Sequence, residues 1–288
     1  MRFAFIAKHR GIWQTQLMCR TLGVSRAGFY EWPGRPESDR AKANRELLVL
    51  IRDSFEQSDR TYGSPRVWRE LIAWGYRCSE NRVARLMLAA GLQARRKRRR
   101  LPEDLGMRPE HCIAPNLLDR QFEATAPNQR WVADFTYIWT DEGWLYFAVV
   151  LDLFSRRIVG WSMSQEMTAE LVTDAMVMAL WRRGKPRELL HHSDQGSQYT
   201  SERFQTLLSE FGITCSMSRR GDVWDNSAME SFFSSLKTER TSRTQYRSRN
   251  QCRDDLFDYV ERFYNVRRRY STIGYVSTAE FEILATKA

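Results

Sequence analysis

From about residue 126 onward, short apolar runs alternate with helical segments in an order that few folds accept. Residues 131–139 read as a strand, and Asp141, Glu142 and Gly143 as a turn. Residues 144–153 form a second apolar strand, Ser155 and Arg156 a tight turn, and residues 157–164 a third strand. Thr168 then starts a helix with Leu171, Val172, Ala175, Ala179 and Leu180 on its inward side. Residues 189–192 are a short buried strand, 201–211 a helix and 213–217 another strand. Asp225 or Asn226 caps a last helix. A three-stranded meander followed by helix, strand, helix, strand, helix is a mixed α/β arrangement.

Three carboxylates sit in this frame where a metal site would want them. Asp134 interrupts the first strand, between Val132 and Thr136 on one face. A charge there is costly unless something pairs with it. Asp194 follows the short fourth strand, and strand ends of α/β sheets are where sites gather. Glu230 lies in the first turns of the last helix. Met229, Phe232, Phe233 and Leu236 form that helix's buried stripe. Glu230, Ser234 and Lys237 share a neighbouring stripe, with Glu230 and Lys237 two turns, or about 10 Å, apart. The acid can hold a metal while the lysine reaches a phosphate. Hard oxygen ligands of this kind select Mg²⁺ or Mn²⁺ over zinc.

Ahead of this region lie three shorter zones. Residues 1–40 carry apolar residues at helical spacing, Trp13, Leu17 and Leu22, then Gly23 and a helix capped by Ser25. That is the outline of a helix-turn-helix. Residues 41–94 hold three amphipathic helices. Leu47, Leu50, Ile51 and Phe55 mark the first, and Val67, Leu71 and Ile72 the second. Val83, Leu86, Met87 and Ala90, behind the cap Ser79, mark the third. Residues 95–125 begin with Arg95, Arg96, Lys97, Arg98, Arg99 and Arg100 and continue as a proline-rich linker. Six like charges in a row stay solvated unless phosphates neutralise them. DNA bound through them is expected to be released as salt rises.

Composition narrows the field further. Formal net charge is +10, from 45 Lys and Arg against 35 Asp and Glu, which favours a polyanionic partner. The five cysteines form no C-x-x-C pair, which argues against a disulfide framework or zinc ribbon. No apolar run approaches the ~18–20 residues of a membrane span, so a cytoplasmic protein is expected.

Three segments carry a resemblance. They are Val132-Ala133-Asp134-Phe135-Thr136-Tyr137, then His192-Ser193-Asp194-Gln195-Gly196, and the stretch from Asp225-Asn226 through Glu230 to Lys237. Together they resemble the integrase-type core of bacterial insertion-sequence transposases, closest to the second open reading frame of the insertion-sequence-three family. In that family 35 residues separate the second Asp from the Glu, and a Lys or Arg follows seven positions later. The same two spacings hold from Asp194 to Glu230 and from Glu230 to Lys237. The family often has His where Tyr270 stands and Pro where Thr278 stands.

The resemblance implies a ribonuclease-H-like catalytic core over residues 126–288, with a C-terminal helical extension and a small all-α helix-turn-helix region before it. It implies Asp134, Asp194 and Glu230 as a catalytic triad that binds two Mg²⁺ or Mn²⁺ ions. Lys237 and the run from Arg95 to Arg100 would contact DNA. The expected substrates are the element's terminal inverted repeats and a target duplex. The expected partners are further copies of the chain and an upstream-frame product joined by frameshifting, in a nucleoid-associated bacterial setting. Two other readings use the same features: a catalytically inactive DNA-binding regulator of transposition, and an RNA/DNA-hybrid nuclease of the same fold.

Overall fold

The computed structural model describes residues 2–33, 37–94, 113–219 and 222–287. The basic run at 95–100 and most of the linker lie outside the described residues. At the centre is a five-stranded sheet of order β3-β2-β1-β4-β5. Strands β1 (Arg130–Thr140), β2 (Gly143–Asp152) and β3 (Ile158–Ser164) form the expected antiparallel meander. Strand β4 (Leu190–Ser193) runs parallel to β1, and β5 (Thr214–Met217) parallel to β4.

Alternating side chains give the sheet two buried faces. Trp131, Ala133, Ala148, Val150 and Val159 pack against helices α7 (Ala169–Arg182) and α8 (Glu202–Glu210). The approach of α7 is close enough to require glycine on β3. A Cβ built on Gly160 would lie 2.2 Å from the carbonyl oxygen of Ala175. Val132, Phe147, Val149 and Leu151 face the other way. They join α9 (Ser227–Glu239), α10 (Arg249–Phe257) and its π-helical continuation Asp258–Tyr264 in a second core. Helix α11 (Thr278–Lys287) closes the chain, with the Thr278 hydroxyl donating to the Asn265 carbonyl at 3.1 Å.

The three amphipathic helices of the second zone are α4 (Asp39–Gln57), α5 (Ser64–Ala73) and α6 (Glu80–Ala89). Leu47, Ile51, Phe55, Val67, Leu71, Val83 and Met87 point inward as their spacing predicts. Ile72 is exposed, because Leu71 beside it takes the buried stripe. The core of these helices is continuous with the α9 side of the sheet. Polar links reinforce the contact. The Tyr62 hydroxyl donates to the Arg267 carbonyl at 3.0 Å and accepts from the Arg269 amide at 2.9 Å. Arg240 pairs with Asp59 at 3.1 Å, and Arg269 pairs with Glu70.

The first zone forms α1 (Arg2–His9), α2 (Thr15–Thr21) and α3 (Arg26–Glu31), with Ser25 capping the last as expected. The stripe Trp13, Leu17 and Leu22 is not the buried one. Trp13 lies before the helix and Leu17 is exposed, while Met18 and Cys19 turn inward against Ile6 and Phe29. The reason is α1, which supplies the surface that α2 covers. Among the described residues no helix is long and apolar enough to cross a membrane.

Tyr62→Phe removes one donor and one acceptor at the joint between α4–α6 and the sheet. A loss of about 1–2 kcal/mol of stability is expected, read as a lower urea midpoint with an unchanged slope. An unchanged midpoint would mean that the joint is held by apolar contact alone.

Candidate active site

Parallel pairing of β1 with β4 sets the site's geometry. Val132 stands opposite His192, so two residues further along each strand Asp134 and Asp194 emerge side by side. Asp134 is half-buried and accepts a 2.7 Å hydrogen bond from the Phe135 amide on Oδ1. Asp194 lies just past β4, where its Oδ1 accepts from the Gly196 amide at 2.8 Å. A Cβ on Gly196 would sit 2.8 Å from that oxygen, so a larger residue there would push the Asp194 carboxylate aside.

Glu230 is exposed in the first turn of α9. Helix α9 is tied to the strand next to Asp134, since the Asn226 side-chain amide donates to the Ala133 carbonyl at 3.2 Å. Lys237 is exposed two turns along, with its ammonium 5.8 Å from the centre of the Tyr137 ring. Electrostatics join all four residues. Burial pushes the Asp134 carboxyl well above the ordinary carboxylate range, and the negative charge of Asp194 adds to this. The Phe135 amide opposes the shift, Glu230 reinforces it, and Lys237 pulls it back down. The structure therefore brings Asp134, Asp194, Glu230 and Lys237 into one field.

The donor chemistry fits a hard divalent cation, because ionised oxygens in a half-buried site repel one another until a cation arrives. Among the described residues, however, no three acidic, His or Cys side chains already close on a single point. The two aspartates form the inner part of the site and Glu230 stands at its rim. Neighbouring histidines are ill placed to serve as bases. Burial lowers His191 to about 3 and His192 to about 4, so both are neutral at pH 7. The His192 ring instead bonds to the Ser216 and Ser218 hydroxyls at 2.8 and 3.1 Å.

Asn226 occupies the cap position of α9, but Asp225 has another task. Its buried carboxylate accepts from Arg219 at 2.9 Å, from Arg120 at 2.9 Å and from Asn116 at 2.8 Å. The Arg219 guanidinium holds this carboxyl far below its usual range despite burial. These contacts pin the segment leading into α9. The residues were missed in the sequence because Arg120 and Asn116 lie about a hundred positions away, in what reads as linker. Trp224 stands 69% exposed on the turn between Asp222 and α9.

Asp152, the other strand carboxylate, belongs to the scaffold. It accepts from the Asn128 amide at 2.8 Å, the Phe154 amide at 3.0 Å and Arg183 at 3.2 Å. The nearby Arg157 pairs instead with Glu282 at 2.7 Å.

Family comparisons place the chain. Residues 124–223 match the integrase core domain, residues 211–277 a second integrase core domain description, and residues 42–100 an HTH-like domain. Transposase InsF of insertion sequence IS3A, from Escherichia coli, is 41% identical over 285 residues, covering 98% of this chain and 98% of its own. This chain belongs to the IS3 transposase family. A Shigella sonnei relative, described as an uncharacterized 31 kDa protein of insertion element IS600, shares 39% identity over 264 residues. It covers 92% of this transposase and 97% of itself. Among solved structures, the HTLV-2 integrase catalytic core domain in complex with magnesium matches with TM-score 0.42 and 18% identity. That match covers 55% of this chain and 99% of the other.

The raised pKa of Asp134 makes a stability prediction for this transposase. Its folded form holds the proton more tightly than the unfolded chain does. Ionised Asp134 therefore costs stability above the folded pKa, and the cost disappears as pH falls to the ordinary carboxylate value of about 4. Asp134→Asn is expected to raise the melting temperature at pH 7, by about 2–4 °C for each kcal/mol relieved. The gain should vanish near pH 4. A lower melting temperature at pH 7 would show that the ionised side chain is compensated in the folded state.

Proposed function

We propose that this chain is a divalent-metal-dependent polynucleotidyl transferase that cuts and joins DNA to move an insertion sequence. The observation that carries this reading is the common field of Asp134, Asp194, Glu230 and Lys237 where the central strand β1 runs past the end of β4. Asp134 and Asp194 would hold the ions from inside, and Glu230 would complete the donor set from the rim. Two bound ions would supply activation of the attacking oxygen and stabilisation of the leaving one. The protein's own groups position and bind. Lys237 would take a phosphate oxygen near the reacting group. The Asp225 cluster would keep the start of α9, and hence Glu230, at a set distance from β1. DNA would reach the site through α4–α6 and the run Arg95, Arg96, Lys97, Arg98, Arg99 and Arg100. Synapsis of two element ends would require at least two copies of the chain, acting with the upstream-frame product or fused to it.

Strand joining in Mn²⁺ tests the assignment, on labelled DNA carrying the ends that flank the gene. Asp194→Asn and Glu230→Gln are expected to reduce joining to background while DNA affinity is retained. Joining by wild type and by both variants alike would remove the triad. DNA binding without joining in any preparation, including the fusion to the upstream frame, would favour the inactive regulator.

Asp225→Ala leaves Arg219, Arg120 and Asn116 without their shared acceptor. A stability loss of about 1–3 kcal/mol is expected, discounted from a fully buried pair because both arginines are half-exposed. Joining should fall further than the lost folded fraction explains, since Glu230 loses its anchor. Joining that tracks the folded fraction would separate the cluster from the chemistry.

A further inference from the structure

Beyond the carboxylates, β1 runs on past the end of β4, which pairs with it only from Arg130 to Val132. The stripe of Trp131, Ala133 and Phe135 continues there as Tyr137 and Trp139, past the helices that cover its start. Trp144 stands directly across the hairpin from Trp139. Their rings are 4.8 Å apart, and Tyr137 meets Trp144 edge-on at 5.1 Å. Tyr137, Trp139 and Trp144 remain 56%, 58% and 41% exposed. Three large aromatic rings locked together and left in water mark a binding surface more than a packing one.

The surface has depth and charge. Tyr137, Trp139 and Trp144 line a groove of about 590 Å³ together with Lys237, Gln245 and Tyr246. That lies within the ~300–1,000 Å³ of small-molecule sites. Lys237 stands over the Tyr137 ring, and the Arg249 side chain lies along the hairpin, donating to the Trp144 carbonyl at 3.0 Å. Asp141 and Glu142 occupy the turn, where Glu142 is engaged by the Arg249 amide at 2.8 Å. Flat rings beside a cation suit a nucleotide, with base on the ring and phosphate on the ammonium.

Position links the groove to the candidate active site. Lys237 lines the groove and also acts on the charge of Asp134. At about 3.3 Å per residue along a strand, Tyr137 and Trp139 begin about 10 and 17 Å from Asp134. They point to the opposite face of β1 from Asp134, and Lys237 of α9, which reaches the Tyr137 ring past the unpaired part of β1, connects the two sides. We propose that Tyr137, Trp139 and Trp144 form a stacking platform for unpaired DNA bases adjoining the phosphate held at the carboxylates. The proposal rests on the reading of this site as one that acts on DNA. Stacking is tolerant of base identity, so the platform would favour single-stranded over paired DNA at any sequence. An overhang or frayed end would be gripped there while the duplex is held elsewhere.

The test uses the full chain and three DNA ligands that share one duplex: blunt, with a 3′ overhang and with a 5′ overhang. A 2-aminopurine in each overhang reports stacking. Trp139→Ala and Tyr137→Ala are expected to weaken binding of one overhang substrate about tenfold and to abolish its fluorescence quenching. Blunt-duplex affinity should stay unchanged, and Trp139→Phe should restore most of the overhang preference. Trp181→Ala, which removes a different exposed tryptophan, is the control and should change nothing. Equal weakening of blunt and overhang DNA, or no loss in the alanine variants, would overturn the platform. So would intact overhang binding combined with a changed oligomeric state, which would assign the rings to a contact between copies. Asp194→Asn should keep the overhang preference, so failure of strand joining and failure of the platform can be told apart.

Discussion

Three residue pairs of parallel sheet, Arg130 with Leu190, Trp131 with His191 and Val132 with His192, set Asp134 and Asp194 side by side. A slip of one residue would turn either Asp134 or Asp194 to the opposite face, because strand side chains alternate. Register is held by what lies on each side. Trp131 and Ala133 are locked against α7 and α8, and Val132 against the α9 side. The aspartates therefore have no freedom to separate, although their charges repel. Packing of apolar neighbours buries Asp134 and keeps Asp194 beside it, and burial first, with the second charge adding to it, raises the Asp134 pKa.

The second constraint acts on α9, which carries Glu230 and Lys237. Its last residue, Glu239, is buried and receives Arg268 through bonds of 2.7–3.1 Å and the Tyr259 hydroxyl at 2.8 Å. Arg66 of α5 approaches the same carboxylate at 3.8 Å. At the other end of α9, Asp225 gathers Arg219, Arg120 and Asn116. One helix is thus fastened at both ends by carboxylates of opposite purpose from Glu230, which stays exposed. Buried ion pairs contribute little net stability, but breaking one is costly, so they serve well as pins. Because Arg66 belongs to α5, the helices within the HTH-like match also bear on the position of α9.

Much of this was legible in the sequence. Apolar runs bounded by turns placed β1, β2 and β3, and the caps Ser25 and Ser79 placed helix starts within a residue. The spacing from Asp194 to Glu230 and on to Lys237 carried the family resemblance. Misreadings occurred where a partner lay far away in sequence. Leu17 looked buried until α1 was seen to cover Met18 and Cys19 instead. Asp225 looked like a cap until arginines from outside the helix claimed it. Asp152, with Arg156 and Arg157 close by in the chain, takes Arg183 at the far end of α7 as its partner.

Local physics explains the division. Periodicity, capping and turn chemistry act over a few residues, so the sequence by itself determined the strands, most of the helices and the family, and it singled out Asp134, Asp194 and Glu230 as candidates. Tertiary structure decided what depends on through-space approach. It set Asp134 beside Asp194, left Glu230 at the rim, merged the core of α4–α6 with that of the sheet, and left Tyr137, Trp139 and Trp144 bare beside Lys237. Burial and charge interaction fall off over a few ångströms of space, whatever the distance along the chain. Neither can be read from a sequence until the fold has chosen the neighbours.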